Sequence, residues 1–491
     1  MRQPTPFFAA FGSLLFGRRP RGQLGKLLGD TAGGRSLSQY QEAFGEFIPQ
    51  ALLHRTKEKE NSRERIFTPQ VTFWAFLAQV LERGSACRNA VRRVLAWCRH
   101  EAPQEVAPSG GTGAYCQART RLPGPALTLI GTDLAERLER NVPSAALWLG
   151  RRVKIIDGTT ATMPDTEANQ AVWPQPHSQK PGCGFPLVKL VGLLSQASGA
   201  LLHVVEGTHR QHDMALARQL WPRLEPGDVL LADRGFCSYH DLSVIAARGA
   251  DAVLRLHQAR KVDFAQGEVL GPDDRLVVWQ KPRQRPPGCT PEEYAAQPAT
   301  QRVRLVRYRV ATPGFRTQEV ILVTTLLDPV AYPATALAAL YAQRWDIELH
   351  LREIKTLLGL DVLRCLTPEM VRKEIAMQRV AYQLVRVLMQ RAALQHQVPL
   401  ARISFKGTLD SLHHFAGTIQ ALTGRTRRQK ALLEDLLRTI ARDLLPHRPG
   451  RVEPRAKKRR PKNYHLLTKP RRQMKIVAHR SRPSKNSRVT N

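Results

Sequence analysis

Four consecutive apolar residues, Val229–Ala232, run straight into Asp233-Arg234-Gly235. A run that short, with no polar alternation, belongs to a strand covered on both faces. The neighbouring segments supply the rest of a sheet. Val153–Ile156 reads as a strand ending in Asp157-Gly158-Thr159-Thr160. Leu187–Leu194 and Ala200–Glu206 are two strands joined by SQASG, a hairpin turn. Asp213 is expected to cap a helix that reaches Leu220. A helix at Asp241–Ala247 and a strand at Ala252–Leu256 follow. Strand, hairpin, helix, strand, helix, strand predicts a mixed α/β sheet with flanking helices.

The flanks differ in kind. Thr68-Pro69 opens a helix, Ser85 caps a second at Cys87–Trp97, and Ala114–Leu122 forms a short basic third. Helix, glycine turn and basic helix suit a DNA-binding helical domain, and equally an ordinary helical hairpin. Residues 257–318 interrupt the sheet pattern. There Leu276–Trp279 and Val303–Val310 read as strands around the proline-rich KPRQRPPG. In RVRLVRYRV arginine and apolar positions alternate, with a phase slip at Leu305-Val306 that reads as a bulge. One basic face of a small β insert is expected. Val320–Thr324 is a further buried-type strand. After Gly359 the chain turns helical, with one long helix from Thr367-Pro368-Glu369 to about Ala393 and another at Gln429–Leu445. From His447 onward Lys, Arg and Pro dominate, as in AKKRRPKN, and no core can form there. The divisions are therefore a partly disordered segment 1–65, a helical DNA-binding domain 66–148, a catalytic core in two parts 149–256 and 319–365, a β insertion 257–318, C-terminal helices 366–446 and a basic disordered tail 447–491.

Lys and Arg number 75 against 41 Asp and Glu, a formal charge of +34. Such an excess repels itself unless an anionic partner neutralises it, and nucleic acid is the leading candidate. A membrane surface is the rival, but no apolar run is long enough to span a bilayer. Phe7–Phe16 is apolar but short, broken by Gly12 and Ser13. The seven cysteines are scattered with no CxxC pair. That argues against a zinc module or disulfide scaffold and fits a reducing compartment.

The stretch YAQRWDIELHLREIK, Tyr341–Lys355, is expected to lie in one helix that begins near Pro333 and ends at Gly359. Leu337, Leu340, Ile347, Leu351, Ile354 and Leu358 make its core stripe. Tyr341, Arg344, Glu348 and Lys355 then fall within roughly 60° of one another beside that stripe. Alone, such an edge reads as a solvated face with helix ion pairs. Two further carboxylates change the weighting. Asp157 and Asp233 each end a strand, and ligand sites in α/β sheets form at the carboxyl ends of strands. With Glu348 they offer three hard oxygen donors, suited to Mg²⁺ or Mn²⁺. A pair of such ions can drive in-line phosphodiester displacement.

These residues carry a resemblance. Tyr341-x2-Arg344-x3-Glu348-x6-Lys355 is similar at all four positions to the Y-x2-R-x3-E-x6-K signature of bacterial DDE transposases of the insertion-sequence-4 type. IIDGTT around Asp157 and LLADRGF around Asp233 resemble that family's first and second aspartate motifs, and FTPQVTFWAFLAQVLERGSACRNAV with YCQARTRLP resembles its N-terminal region. The likeness covers roughly residues 65–380. It implies an RNase H-like catalytic core with a β-rich insertion between the second aspartate and the glutamate. It implies that Asp157, Asp233 and Glu348 hold two Mg²⁺ or Mn²⁺ ions and that Tyr341, Arg344 and Lys355 contact DNA phosphates. Some members hold a flipped base on an aromatic residue of the insertion. Trp279 is the single tryptophan of residues 257–318 and the candidate here, although a packed strand tryptophan is the plainer reading. Its implied partners are double-stranded DNA, as transposon ends and target, and a second copy in a homodimer on that DNA. The function implied is binding of terminal inverted repeats, cleavage and strand transfer. The alternatives are a DNA-binding protein of transposase descent that no longer cuts, and a basic RNA-binding or ribosome-associated protein without metal dependence.

Overall fold

The computed structural model describes residues 66–101, 109–310, 319–421, 426–446, 467–470 and 473–474. The expected segment 1–65 and most of the tail 447–491 lie outside the described residues.

Three helices open the described chain: α1 (Pro69–Leu81), α2 (Cys87–Glu101) and α3 (Gly113–Arg121). The Thr68 side chain accepts the Val71 N–H at 3.2 Å, and Pro69 fills the first helical position, where its missing N–H is no loss. A fourth helix, α4 (Gly124–Arg140), leads to the sheet. Strand β1 is Val153–Thr162, β2 is Leu187–Ser195, β3 is Leu201–Thr208, β4 is Val229–Ala232 and β5 is Asp251–Arg255. The short helix α5 (Asp213–Ala217) precedes β4, and α6 (Tyr239–Ala247) joins β4 to β5. The cap of α5 is His212, whose Nδ1 accepts the Met214 N–H at 3.2 Å, rather than Asp213. Strands β6 (Glu268–Gly271), β7 (Asp274–Gln280), β8 (Thr300–Arg309) and β9 (Glu319–Thr324) follow.

All nine strands form one sheet in the order β3-β2-β1-β4-β5-β9-β8-β7-β6. β1, β4 and β5 run parallel, and the other pairs are antiparallel. The mixed α/β sheet with flanking helices is as the sequence pattern required. The strands of 257–318 do not interrupt it but extend it, because β8 pairs directly with β9. Nor is there a bulge at Leu305-Val306. The β7–β8 and β8–β9 registers run through it unbroken. The phase slip has another cause: residues 303–306 are buried on both faces. Val303 and Leu305 pack on one face, and Val306 packs on the other beside the buried Arg304. The expected basic face is accordingly absent there. Arg304 is paired with Asp274 and Arg307 with Asp273.

Alternation sorts the central strands onto two cores. Val153, Ile155, Val229, Leu231 and Val253 join the larger core, while Ile156, Leu230, Ala232, Ala252 and Leu254 join the smaller one. The larger core is closed by the C-terminal helices: α7 (Ala334–Ala342), α8 (Asp346–Arg352), α9 (Pro368–His396), α10 (Phe405–Ala421) and α11 (Thr426–Arg442). α9 begins as its sequence dictates, with Thr367 capping Met370 and Pro368 at the first position. It also secures the β2–β3 hairpin. Arg379 and Gln383 donate to the Leu201 carbonyl at 3.1 and 2.8 Å, Tyr382 to Gly199 at 2.7 Å, and Arg386 to Ser198 at 3.1 Å. Among the described residues, no helix is long and apolar enough to cross a membrane.

Candidate active site

The sheet places the two aspartates. The β1–β4 pairing stops at Ile155↔Leu231, so Asp157 and Asp233 each stand two residues beyond the last pair. Neighbouring strands lie about 4.8 Å apart, which brings both residues to one edge of the sheet. Asp157 is not at a strand end, as its Gly-Thr-Thr sequel suggested. β1 continues to Thr162 because β2 pairs with it as far as Thr162↔Leu187. What β1 loses beyond Ile155 is its pairing with β4, so Asp157 stands on a part of the strand that only β2 accompanies. The Asp157 carboxylate accepts the Gly158 N–H at 2.7 Å. Asp233 opens a 3₁₀ turn, Arg234–Phe236.

Glu348 arrives on a composite helix. The expected single helix is instead four segments: α7, a 3₁₀ turn at Gln343–Trp345, α8, and a π turn at Glu353–Leu357 that ends before Gly359 at φ 88°. The 3₁₀ turn over-rotates the chain and the π turn under-rotates it, so the two oppose each other. Leu340, Ile347, Ile354 and Leu358 therefore all remain buried on the core side. Tyr341 lies near the end of α7 and Arg344 three residues on in the 3₁₀ turn, a spacing that puts the two side chains on one side. The guanidinium lies 5.9 Å from the Tyr341 ring centroid and 4.9 Å from that of Trp345. Wide turns of the π type recur at functional sites, and Lys355 sits on this one, half-buried.

Charge ties these groups together. Asp157 is held above the ordinary carboxylate range, first by burial, with Glu348 and Asp233 adding to the rise and Gly158 and Arg344 opposing it. Burial pushes the Tyr341 phenol far up, against Arg344 and with Asp233. Arg344 approaches Glu348 at 3.8 Å, too long for a hydrogen bond, and Glu348 is half exposed. Two donors at this spot have no protein acceptor: the Tyr341 hydroxyl and the Arg344 Nε, both buried. Leaving such a group unsatisfied costs roughly 1–3 kcal/mol.

The donor set suits a hard divalent cation in chemistry: three carboxylates, one of them raised by burial first and then by the other two. Among the described residues, however, no group of three or more His, Cys, Asp or Glu is drawn close enough to hold an ion as placed.

Three neighbours escaped the sequence reading. Arg255 ends β5, parallel to β4, and with Tyr308 of β8 acts on the Tyr341 phenol. The signal was available, since Arg255 closes the third buried parallel strand at the same edge. Trp345 is 47% exposed beside Arg344 and Glu348. Trp279 is placed elsewhere. It is buried in the smaller core with Phe236 and Tyr239, and Arg260 covers its ring at 3.8 Å.

Comparison with known proteins came to the same region. Residues 148–384 match the family model described as transposase DDE domain. Transposase InsG for insertion sequence element IS4 of Escherichia coli (strain K12) is 28% identical over 441 residues, spanning 87% of this chain and 94% of that protein. A probable transposase for insertion sequence element IS5377 of Geobacillus stearothermophilus is 26% identical over 260 residues, 53% of this chain and 63% of that one. Among solved structures, the piggyBac transposase synaptic complex with hairpin DNA covers 82% of each chain at 10% identity, with a TM-score of 0.41. A likeness that loose carries no argument about geometry.

Proposed function

Residues 148–384 are a transposase DDE domain of the insertion-sequence-4 type, and from that premise we propose that the protein binds the terminal inverted repeats of its own insertion sequence and catalyses metal-dependent cleavage and strand transfer. The observation that carries this reading is the pair of buried, unpartnered donors, Tyr341 hydroxyl and Arg344 Nε, beside three carboxylates. Each buried donor left unpaired is costly, so two side by side favour an acceptor from outside the chain. A phosphate oxygen satisfies both, and a guanidinium grips it with more than one bond.

The DDE domain implies dependence on a divalent metal, and in this reading Asp157, Asp233 and Glu348 hold Mg²⁺ or Mn²⁺, two ions per site. Bound there, the metal would activate the attacking water or 3′-hydroxyl and stabilise the leaving oxygen. The chain's own residues do the rest. Tyr341 and Arg344 fix the scissile phosphate by its non-bridging oxygens. Lys355 adds a point charge from the π turn, and Arg255 a second guanidinium from β5. The buried stripe of the composite helix holds Glu348 against the sheet edge, which keeps the carboxylate in place while the phosphate turns over. We assign the strands β3-β2-β1-β4-β5 to an RNase H-like core, residues 149–256 and 319–365. In this assignment 257–318 are its β insertion and 66–148 the DNA-binding helices. The net charge of +34 supports a DNA partner. Joining two ends calls for a homodimer on DNA. Trp279 would serve as a flipped-base contact only after Arg260 leaves its ring.

The test is cleavage of DNA carrying the element's ends with Mg²⁺, wild type against Glu348→Ala. Nicks and joined products from wild type alone are expected. A wild type that binds the ends without cutting them would leave a DNA-binding protein of transposase descent. A Glu348→Ala protein that still cuts would remove Glu348 from the site.

A further inference from the structure

The seven residues of α8 are enclosed between two turns that depart from α geometry in opposite senses, Gln343–Trp345 before them and Glu353–Leu357 after. A 3₁₀ residue advances about 120° where an α residue advances about 100°, so the first turn sets α8 about 60° ahead of a regular helix. The second turn brings the chain back into phase before Gly359. Burial shows which way the segment has been turned. Ile347 is fully buried, yet Glu348 on one flank of it is half exposed. On the other flank the side chains of His350 and Glu353 are tucked in, 14% and 16% exposed, with His350 Nδ1 3.2 Å from Glu353 Oε2. Turned back by about 60°, α8 would bring Glu348 round towards the sheet and carry His350 outward, with Ile347 still on the core side. Room for that turn exists. A cavity of about 260 Å³ lies beneath the segment, lined by Leu351 and Ile354 of the helix, Thr159 and Leu190 of the sheet, and Ile375 and Ala376 of α9. Thr159 stands two residues from Asp157, on the same face of β1. Interiors are otherwise close-packed, and a segment cannot turn without such space.

We propose that α8 has two seats: the outward one of the present structure, and an inward one in which both flanking turns become regular helix and Glu348 joins Asp157 and Asp233 around a divalent cation. This rests on the reading of those three carboxylates as the metal ligands. Facing one another without a cation they repel, so the outward seat is favoured until a cation is present. The inward seat offers that cation three carboxylates and the outward seat two, and the difference shifts the balance. The approach of Arg344 to Glu348 at 3.8 Å and the contact of His350 with Glu353 belong to the outward seat and hold it. The ligand set is then complete only while metal is bound. Ile347 stays on the core side in both seats, so α8 turns about its own axis without leaving the sheet.

The experiment is calorimetric titration of the full chain with Mn²⁺, with amide hydrogen exchange of residues 343–358 read by mass spectrometry before and after. Binding is expected in wild type and lost in Glu348→Gln. With Mn²⁺ bound, exchange across 343–358 should slow about tenfold as the two irregular turns take up α hydrogen bonds. Two variants outside the ligand set should move the affinity in opposite directions. Ala376→Leu fills the cavity and should weaken Mn²⁺ binding about tenfold, whereas His350→Ala releases the outward seat and should tighten it about threefold. No binding by wild type, or equal affinity in Glu348→Gln, would overturn the ligand reading and the two seats with it. Binding that needs Glu348 but leaves exchange across 343–358 unaltered would overturn the two seats alone. So would wild-type affinity in Ala376→Leu or in His350→Ala.

Discussion

Arg304 Nε donates to Asp274 Oδ1 at 2.8 Å and Nη2 to Oδ2 at 2.5 Å, with the guanidinium wholly buried. The remaining nitrogen, Nη1, donates to the carbonyls of Tyr332 at 2.7 Å and Asp328 at 3.2 Å. Those carbonyls belong to the loop that enters α7. One side chain therefore fastens β7 and β8 to the start of the helix that bears Tyr341. The outer strands are thus tied directly to the element that carries the proposed phosphate cradle.

Removing that guanidinium should be costly. Arg304→Met leaves the Asp274 carboxylate buried and unpaired, a loss of about 3–5 kcal/mol by analogy with other broken buried pairs. Urea unfolding of the variant should show it as a lower midpoint. A midpoint within error of wild type would mean that the joint contributes nothing.

Tyr341→Phe should separate stability from activity. The hydroxyl has no protein partner, so its loss should leave unfolding unchanged or slightly improved. A hydrogen bond to a charged phosphate oxygen contributes roughly 1.5–3 kcal/mol, so strand cleavage should fall about tenfold to a hundredfold. Cleavage at the wild-type rate would show that the hydroxyl does not touch the scissile phosphate.

Much of this was legible in the sequence, for identifiable reasons. The run Val229–Ala232 could only be a strand covered on both sides, and it is. Asp233 was legible as an edge residue because a buried strand ends just before it, whereas Asp157 lies inside a strand that β2 carries on to Thr162. The composite helix was not legible. Its apolar spacing is that of an ideal helix, and only packing shows that a tight turn and a wide turn offset each other. Arg304 was misread for a related reason. An arginine in alternation implies a solvent face, unless a partner as distant as Asp274 meets it inside. Pairing across thirty residues leaves no local trace. The same holds for Arg379 and Arg386, which α9 buries against hairpin carbonyls.

Asp157 gives a pH signature. Its carboxyl is raised in the folded state, chiefly by burial, so the folded protein binds that proton more tightly than the unfolded chain does. The group's stabilising contribution is present below the unfolded value of about 3.9 and is lost as pH rises through the folded value. Asp157→Asn should therefore be more stable than wild type at neutral pH in chelator. The difference should shrink towards zero below the unfolded value. Chemical denaturation at a series of pH values measures it, and a difference independent of pH would contradict the assigned cause.

The hairpin clasp can be probed at its tightest point. Gly199 has φ 68°, and a Cβ there would collide with the Arg386 guanidinium. Gly199→Ala combines left-handed backbone strain with a buried clash, for a loss of about 2–4 kcal/mol. Calorimetry should show a lower Tm. An unchanged Tm would mean that Arg386 can leave the Ser198 carbonyl without consequence.

Metal dependence can be read without any DNA. A cation that binds only the folded state stabilises it by about 2.7 kcal/mol at a hundredfold excess over its dissociation constant. Mg²⁺ or Mn²⁺ should accordingly raise the unfolding midpoint of wild type, and a chelator should reverse the rise. Two opposing effects then meet in the variants. Asp157→Asn removes a charge that burial disfavours, so its baseline midpoint should rise while its response to metal disappears. Glu348→Gln takes away a half-exposed carboxylate, so its baseline should scarcely move while its response is equally lost. The pairing of a changed and an unchanged baseline with the same lost response is what a shared ligand set requires. A full metal response in either variant would show that the cation binds elsewhere.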